Sequence, residues 1–243
     1  MNDIEMLFKE AAKITYPKGI MSIALGEIKE TSFFPGGSGT FYLKRNIKGR
    51  KIMVLGQDWG TKAGFDDDFK KGTVNIEVNP TWRNLLKLLR EKEIKGLGIT
   101  PEADCFFTNI ILGLREKGGM TGITPAIKVP EFIEKCKDFF HLQLRTQQPE
   151  MVLVLGMKTA ILISEMDEDK KLIKWKEYGS IKKVDECDAA LIKNVRIGGI
   201  NSNYVLLFHP SFKPVNLKKS NNRNHINIKT DYEIELIKQA MKK

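Results

Sequence analysis

Four short, almost wholly apolar runs constrain this chain more than anything else in it: residues 51–55, 105–112, 151–155 and 204–208. Each is apolar at consecutive positions rather than alternate ones, so each needs cover on both faces, as a strand does in a parallel sheet between helix layers. The intervening segments supply that cover. Residues 3–16 place Ile4, Leu7, Phe8, Ala11, Ala12 and Thr15 at helical spacing and stop before Pro17. Residues 80–93 run through Trp82, Leu85, Leu86, Leu88 and Leu89 with Pro80 suited to a first turn, and residues 130–144 turn Phe132, Ile133, Cys136, Phe139 and Phe140 inward. A further helix is expected at 159–165. Strands alternating with helices of this kind predict an α/β fold, a three-layer α/β/α sandwich around a central, mostly parallel four-stranded sheet. At 243 residues the chain is expected to be one domain, with an insertion of undefined shape at about 167–199, where charges crowd in and neither period persists. The Gly-rich stretch 35–39 lacks the Gly-Lys-Ser/Thr ending of a phosphate-cradling loop and reads as a flexible connection.

Composition narrows the function. Hydrophobic residues make up 42% and charged residues 29%, which excludes a mainly disordered chain. The formal charge of +10 favours a polyanionic partner, with nucleic acid foremost. Cys105, Cys136 and Cys187 form no Cys-x-x-Cys pair, which disfavours a zinc ribbon, a four-cysteine iron–sulfur cluster and a disulfide framework, and fits a reducing compartment. The first residues carry acids rather than the Lys or Arg of a secretory signal, and no apolar run approaches the ~18 residues of a membrane span. A soluble, cytoplasmic protein with no membrane contact is expected.

In an open parallel sheet the ligand site lies beyond the carboxyl ends of the strands. Past the first run comes Gly56-Gln57-Asp58-Trp59-Gly60, within the second Thr108-Asn109, past the third Gly156-Met157 and past the fourth His209-Pro210-Ser211. A parallel sheet would bring an acid, an amide and an imidazole to one rim. Each has a structural explanation of its own: Asp58 as a turn cap, Asn109 satisfying loose backbone groups, His209 as a half-buried histidine with its partners inside the protein.

Taken together and in this order, Gly56-Gln57-Asp58, Asn109-Ile110-Ile111-Leu112-Gly113-Leu114-Arg115 and His209-Pro210-Ser211 resemble the uracil-DNA glycosylase superfamily. Its best-known branch has an apolar strand followed by Gly-Gln-Asp-Pro-Tyr, a strand with Asn in an Asn-x-x-Leu-x-x-Arg-like context, and a final His-Pro-Ser. Pro80-Thr81-Trp82-Arg83-Asn84-Leu85 and residues 149–160 are weaker matches in consistent places. The resemblance covers about residues 50–165 and 200–220; the first 45 residues and the insertion are not matched.

The resemblance implies a DNA glycosylase that hydrolyses the N-glycosidic bond of uracil or a related damaged base and leaves an abasic site, without metal or cofactor. Asp58 would activate or orient the attacking water and stabilise the cationic sugar, and His209 would donate to the base carbonyl as charge develops there. Asn109 would pair with a pyrimidine edge, with Gln57 completing the polar wall. Phe65, or Phe69 further on, would stack on the extruded base. The family's Pro-Tyr is replaced by Trp59-Gly60, and that Tyr excludes the methyl of thymine; Trp59 either takes over that block or packs. The wedge position falls on Lys213, with Phe212 the nearest apolar side chain. From His209 to Thr230 the chain carries Lys213, Lys218, Lys219, Arg223 and Lys229 and no acid, a segment suited to tracking DNA phosphates together with Ser211. The expected partner is DNA, bound by a monomer. The alternatives are a non-catalytic DNA- or nucleotide-binding member of the same superfamily and a hydrolase of free nucleosides or nucleotides.

Overall fold

A computed structural model describes residues 3–23, 33–36, 51–71, 80–119, 122–212 and 231–242. The chain opens with helix α1 (Asp3–Ala11), then strands β1 (Ile20–Met21), β2 (Phe33–Phe34) and β3 (Ile52–Gly56). Helices α2 (Lys62–Lys71), α3 (Pro80–Leu89), α4 (Lys92–Lys95) and α5 (Pro101–Asp104) lead to β4 (Cys105–Asn109) and the short β5 (Leu114–Arg115). Helix α6 (Pro130–Gln147), strand β6 (Met151–Leu155) and helix α7 (Met157–Ser164) follow.

The described strands form a six-stranded sheet in the order β2, β4, β3, β6, then two strands from the end of the chain. Those are β7 (Leu191–Ile197) and β8 (Ile200–Leu207), with β8 beside β6 and β7 at the edge. All neighbours are parallel except β7 and β8. Every residue of β3, β4 and β6 is buried, as their unbroken apolar runs require. Side chains alternate between faces along a strand, and the ring contacts show helices on both. On one face Phe33 lies 5.0 Å from Trp82 of α3, which lies 5.0 Å from Phe107. On the other, Phe34 lies 4.7 Å from Phe8 of α1, 5.4 Å from Phe106 and 6.3 Å from Phe139 of α6.

Four strands were expected in the central sheet; among the described residues it has six, and β1 and β5 form a separate two-stranded ribbon. The pair Phe33–Phe34 is too short to show a pattern. Strand β7 lies inside the expected insertion, where α8 (Ile173–Tyr178) and α9 (Ile181–Glu186) precede it. Its periodicity is hidden because the register with β8 shifts between Ile192 and Val195, with Asn194 at φ +54°. The hairpin turn is Gly198-Gly199, at φ +58° and +79°, a two-residue connection that only such residues make readily. Elsewhere the boundaries tighten: the first helix ends at Ala11, the helix expected over 80–93 divides into α3 and α4, and the second strand stops at Asn109. Past that point the amides of Ile110 and Ile111 bond to the carbonyls of Gly56 and Gln57, at 3.0 and 2.9 Å, so the chain turns across the end of β3. The last helix, α10 (Asp231–Met241), packs on β8, with Asn203 Nδ2 donating to the Ala240 carbonyl at 2.7 Å. Among the described residues Cys105, Cys136 and Cys187 form no disulfide. No described helix is long and apolar enough to cross a membrane.

Candidate active site

The sheet order places the start of the candidate site at a switch point: from β3 the chain goes first to β4 on one side, then to β6 and β8 on the other. A crevice opens at the carboxyl ends of strands in this arrangement. Gly56, the last residue of β3, sits opposite Asn109, the last of β4. A Cβ at Gly56 would collide with Asn109 Oδ1, so glycine is what lets the amide lie across the strand end. Asn109 is 4% exposed, and among the described residues its amide makes no hydrogen bond, leaving donor and acceptor for a ligand.

Asp58 follows in a tight turn. Its Oδ1 accepts from the Gly60 amide at 3.1 Å and its Oδ2 from Arg115 Nε at 2.7 Å. Gly60 takes φ +76°, where a side chain would be strained, which gives a local reason for glycine at this position. The Asp58 and Arg115 side chains are 7% and 6% exposed, so this is a buried ion pair. Arg115 reaches further: Nη1 donates to the Gly119 carbonyl and Nη2 to the Gly122 carbonyl, both at 3.1 Å. Gln57 Nε2 donates to the same Gly122 carbonyl at 3.2 Å, while Gln57 Oε1 is buried without a partner. Arg115 itself is fixed in a two-stranded ribbon, where it pairs with Ile20.

His209 stands past the end of β8. Its Nδ1 lies 2.8 Å from Ser211 Oγ; a hydroxyl donating there leaves Nε2 carrying the ring proton. Two neighbours hold the flanking backbone: the Phe208 amide donates to Glu233 Oε1 at 2.9 Å, and Asn84 Nδ2 donates to the Pro210 carbonyl at 2.8 Å. Gly156, at φ +80°, lets β6 turn into α7 directly beneath the imidazole, since a Cβ there would stand 3.0 Å from His209 Cβ. Burial pushes the imidazole below its ordinary range; the Asp58 carboxylate opposes that and the Lys158 ammonium adds to it.

Asp58 pairs with Arg115, Arg115 binds Gly122, a Cβ at Gly122 would lie 4.0 Å from Lys158 Nζ, and Lys158 and Asp58 both act electrostatically on His209. No protein-family profile matches the chain, and no curated protein matches it in sequence. Function has to be argued from the site itself.

Two expected members sit differently. Phe65 is not in a loop but on α2, 6% exposed and packed with Ile23, Leu114 and Trp59, which makes it a core ring rather than a platform open to a base. Trp59 lies edge-on to Phe33 at 6.0 Å and to Phe65 at 6.1 Å, so its indole is engaged in packing, with Nε1 buried and unpartnered. The ring nearest the end of β3 is Phe33, whose Cε1 would be 3.6 Å from a Cβ at Gly56. Phe33, 8% exposed and packed on Trp59, Trp82 and Phe107, is likewise a core ring, one that the sequence analysis did not single out. Arg115 was read only as part of a motif, without its partner. The α2 helix contains Phe69, whose side chain lies outside the described residues, as does that of Phe212 in the 210–212 turn. Lys213, Lys218, Lys219, Arg223 and Lys229 are likewise outside them. Among the described residues no three His, Cys, Asp or Glu side chains gather to hold a metal ion.

Proposed function

We propose that the protein is a DNA glycosylase of the uracil-DNA glycosylase type, hydrolysing the bond between deoxyribose and uracil or a related damaged base. The observation that carries this reading is the meeting of Asp58, Asn109 and His209 at the carboxyl rim of one parallel sheet, with the Asp58 carboxylate close enough to act on the His209 imidazole. The chain's +10 charge supports a polyanionic substrate over a free nucleoside.

The reaction builds positive charge on the sugar and negative charge on the leaving base. His209, neutral and with Nε2 carrying the ring proton, donates a hydrogen bond to the base carbonyl on which that charge collects. Asn109 offers both halves of its amide to the pyrimidine edge. Each carboxylate oxygen of Asp58 accepts one hydrogen bond from the protein and keeps a second lone pair for the attacking water. The C1′–N bond breaks with its electrons going to the base, the water oxygen bonds C1′, and the water proton passes to Asp58. Arg115 is the positioning residue, fixing the carboxylate before substrate arrives so that little reorganisation remains. Gly60 builds no barrier to a 5-methyl group, so the substrate range is not restricted to uracil at that point.

A buried ion pair can hold a fold without catalysing anything, and the Asp58–Arg115 pair for that reason favours, as a second reading, a superfamily relative that binds DNA without cutting. One assay separates the two. A uracil-containing oligonucleotide is incubated with the protein, treated with alkali and examined for strand scission. Scission that falls by roughly 10² or more in Asp58→Asn supports the enzyme. Binding without scission across uracil, hypoxanthine and mismatched thymine supports the binder.

A further inference from the structure

The Asp58–Arg115 ion pair is held from a part of the chain that the glycosylase motifs do not include, the segment before β2. The backbone of Arg115 lies between two others. Its amide donates to the Gly60 carbonyl at 2.8 Å, just past Asp58, and on its other side Arg115 pairs with Ile20 of β1. The next amide, of Glu116, donates to the Gly19 carbonyl at 3.0 Å. Approach this close needs glycine at Gly113, φ +91°, where a Cβ would stand 2.7 Å from Ile20 Cγ2, 2.7 Å from Tyr16 Cε1 and 2.9 Å from the Met21 carbonyl oxygen. The segment is itself tied to α6: the Tyr16 ring lies 5.7 Å from Phe132, and Thr15 Oγ1 accepts from Lys135 Nζ at 2.7 Å.

Just past β1 comes Ile23, 4% exposed. With Phe65 and Leu114 it forms a small cluster apart from the main core, and Trp59 packs against it. Trp59 follows Asp58 in the chain and Leu114 precedes Arg115, so the cluster takes in a neighbour of each member of the ion pair. Ile23 is what the amino-terminal segment contributes to it. Packed interiors transmit small displacements, and a catalytic group displaced by about 1 Å can lose roughly 10² in rate. Because Ile23 lies outside the main core, shortening it acts on this cluster and leaves the central sheet alone.

We propose that Ile23 is a positioning residue for the Asp58–Arg115 pair: seated from the amino-terminal segment, it braces Leu114 and Trp59 and so fixes the direction in which Arg115 holds the carboxylate. The catalytic consequence rests on the glycosylase reading, but the brace is measurable without cleavage, through hydrogen exchange of the Arg115 Nε–H that donates to Asp58. In Ile23→Ala that proton exchanges about tenfold faster than in wild type, while the amides of β6 keep their rates. Ile23→Val, only slightly smaller, shows the same confined change at about two- to threefold, and decides the matter alone where the alanine variant does not fold. In parallel, kcat for uracil excision falls by about tenfold in Ile23→Ala with KM unchanged, and the valine variant falls between. Unaltered Nε–H exchange overturns the brace and leaves the glycosylase reading standing. So does an acceleration shared by β6, the mark of a general loss of stability, or faster exchange with kcat unchanged. Confined acceleration in a protein whose wild type cleaves nothing supports the brace and overturns the glycosylase reading. Unaltered exchange and no cleavage overturn both.

Discussion

Asp58 and His209 occupy equivalent places, each past the end of a buried parallel strand, yet the protein holds them by different means. Asp58 is gripped by a buried guanidinium at 2.7 Å, and that same guanidinium ties down the Gly119 and Gly122 carbonyls. His209 has a hydroxyl at 2.8 Å on its ring, and its chain neighbours are held through their backbones by the buried Glu233 carboxylate and the Asn84 amide. The first flank is a charge network, where removing one partner strands the other in a dry place. The second is a set of separate hydrogen bonds, where each loss stays local.

The largest expected effect breaks the charge network. Arg115→Met removes the cation and leaves the Asp58 carboxylate buried without it, which should lower unfolding free energy by about 3–5 kcal/mol in denaturant titration. The double variant Asp58→Asn with Arg115→Met removes both charges and should recover a large part of that loss, as expected for residues in direct contact. A strictly additive double variant would mean that the pair contributes no coupling, and the contrast between the two flanks would disappear.

A smaller effect, and one specific to the other flank, is the response to pH. His209 is pushed below the ordinary 6.5 of an imidazole, chiefly by burial, and His141 is pushed the same way for the same reason. In the unfolded chain both take up protons near 6.5; in the folded protein they do so only at lower pH. Between the two, the unfolded state binds more protons, so stability is full above that ordinary value and declines as pH falls through the depressed one. Denaturant midpoints measured from about pH 8 down to pH 5 should show the decline in wild type and a shallower one in His209→Gln, with His141 accounting for part of what remains. An unchanged slope in the variant would place His209 in contact with water rather than buried.

How far the sequence revealed this arrangement follows from the range over which each feature acts. Strands β3 and β6 were legible residue by residue because burial on both faces leaves an unbroken apolar run. The placement of Asp58, Asn109 and His209 at one rim was legible because consecutive apolar runs imply parallel strands, whose carboxyl ends then lie side by side. The Asp58–Arg115 pair joins residues separated by two helices' worth of chain or more, and no local pattern announces a long-range ion pair. Phe65 misled because an aromatic after an acid suits either a base platform or a core; only the packing with Ile23, Leu114 and Trp59 decides that it is core. Strand β7 stayed hidden behind its bulge at Asn194, although Gly198-Gly199 between two β-branched stretches was a hairpin signal in plain view.

The smallest expected effect tests whether the His209 flank is as divisible as it looks. Asn84, on α3, reaches across to the Pro210 carbonyl at 2.8 Å and makes no contact with the imidazole itself in the hydrogen-bond pattern. Asn84→Ala removes one hydrogen bond and leaves the carbonyl of the buried Pro210 without that donor. The expected loss is about 1–3 kcal/mol in denaturant titration, the cost of one buried acceptor left unsatisfied. The Ser211 and Glu233 contacts are separate, so the imidazole should keep its place with the pH response of stability unaltered, and under the proposed glycosylase reading uracil excision should fall only a few-fold. A loss as large as that of Arg115→Met would show that the turn after β8 is cooperative, and that His209, like Asp58, depends on a network whose members fail together.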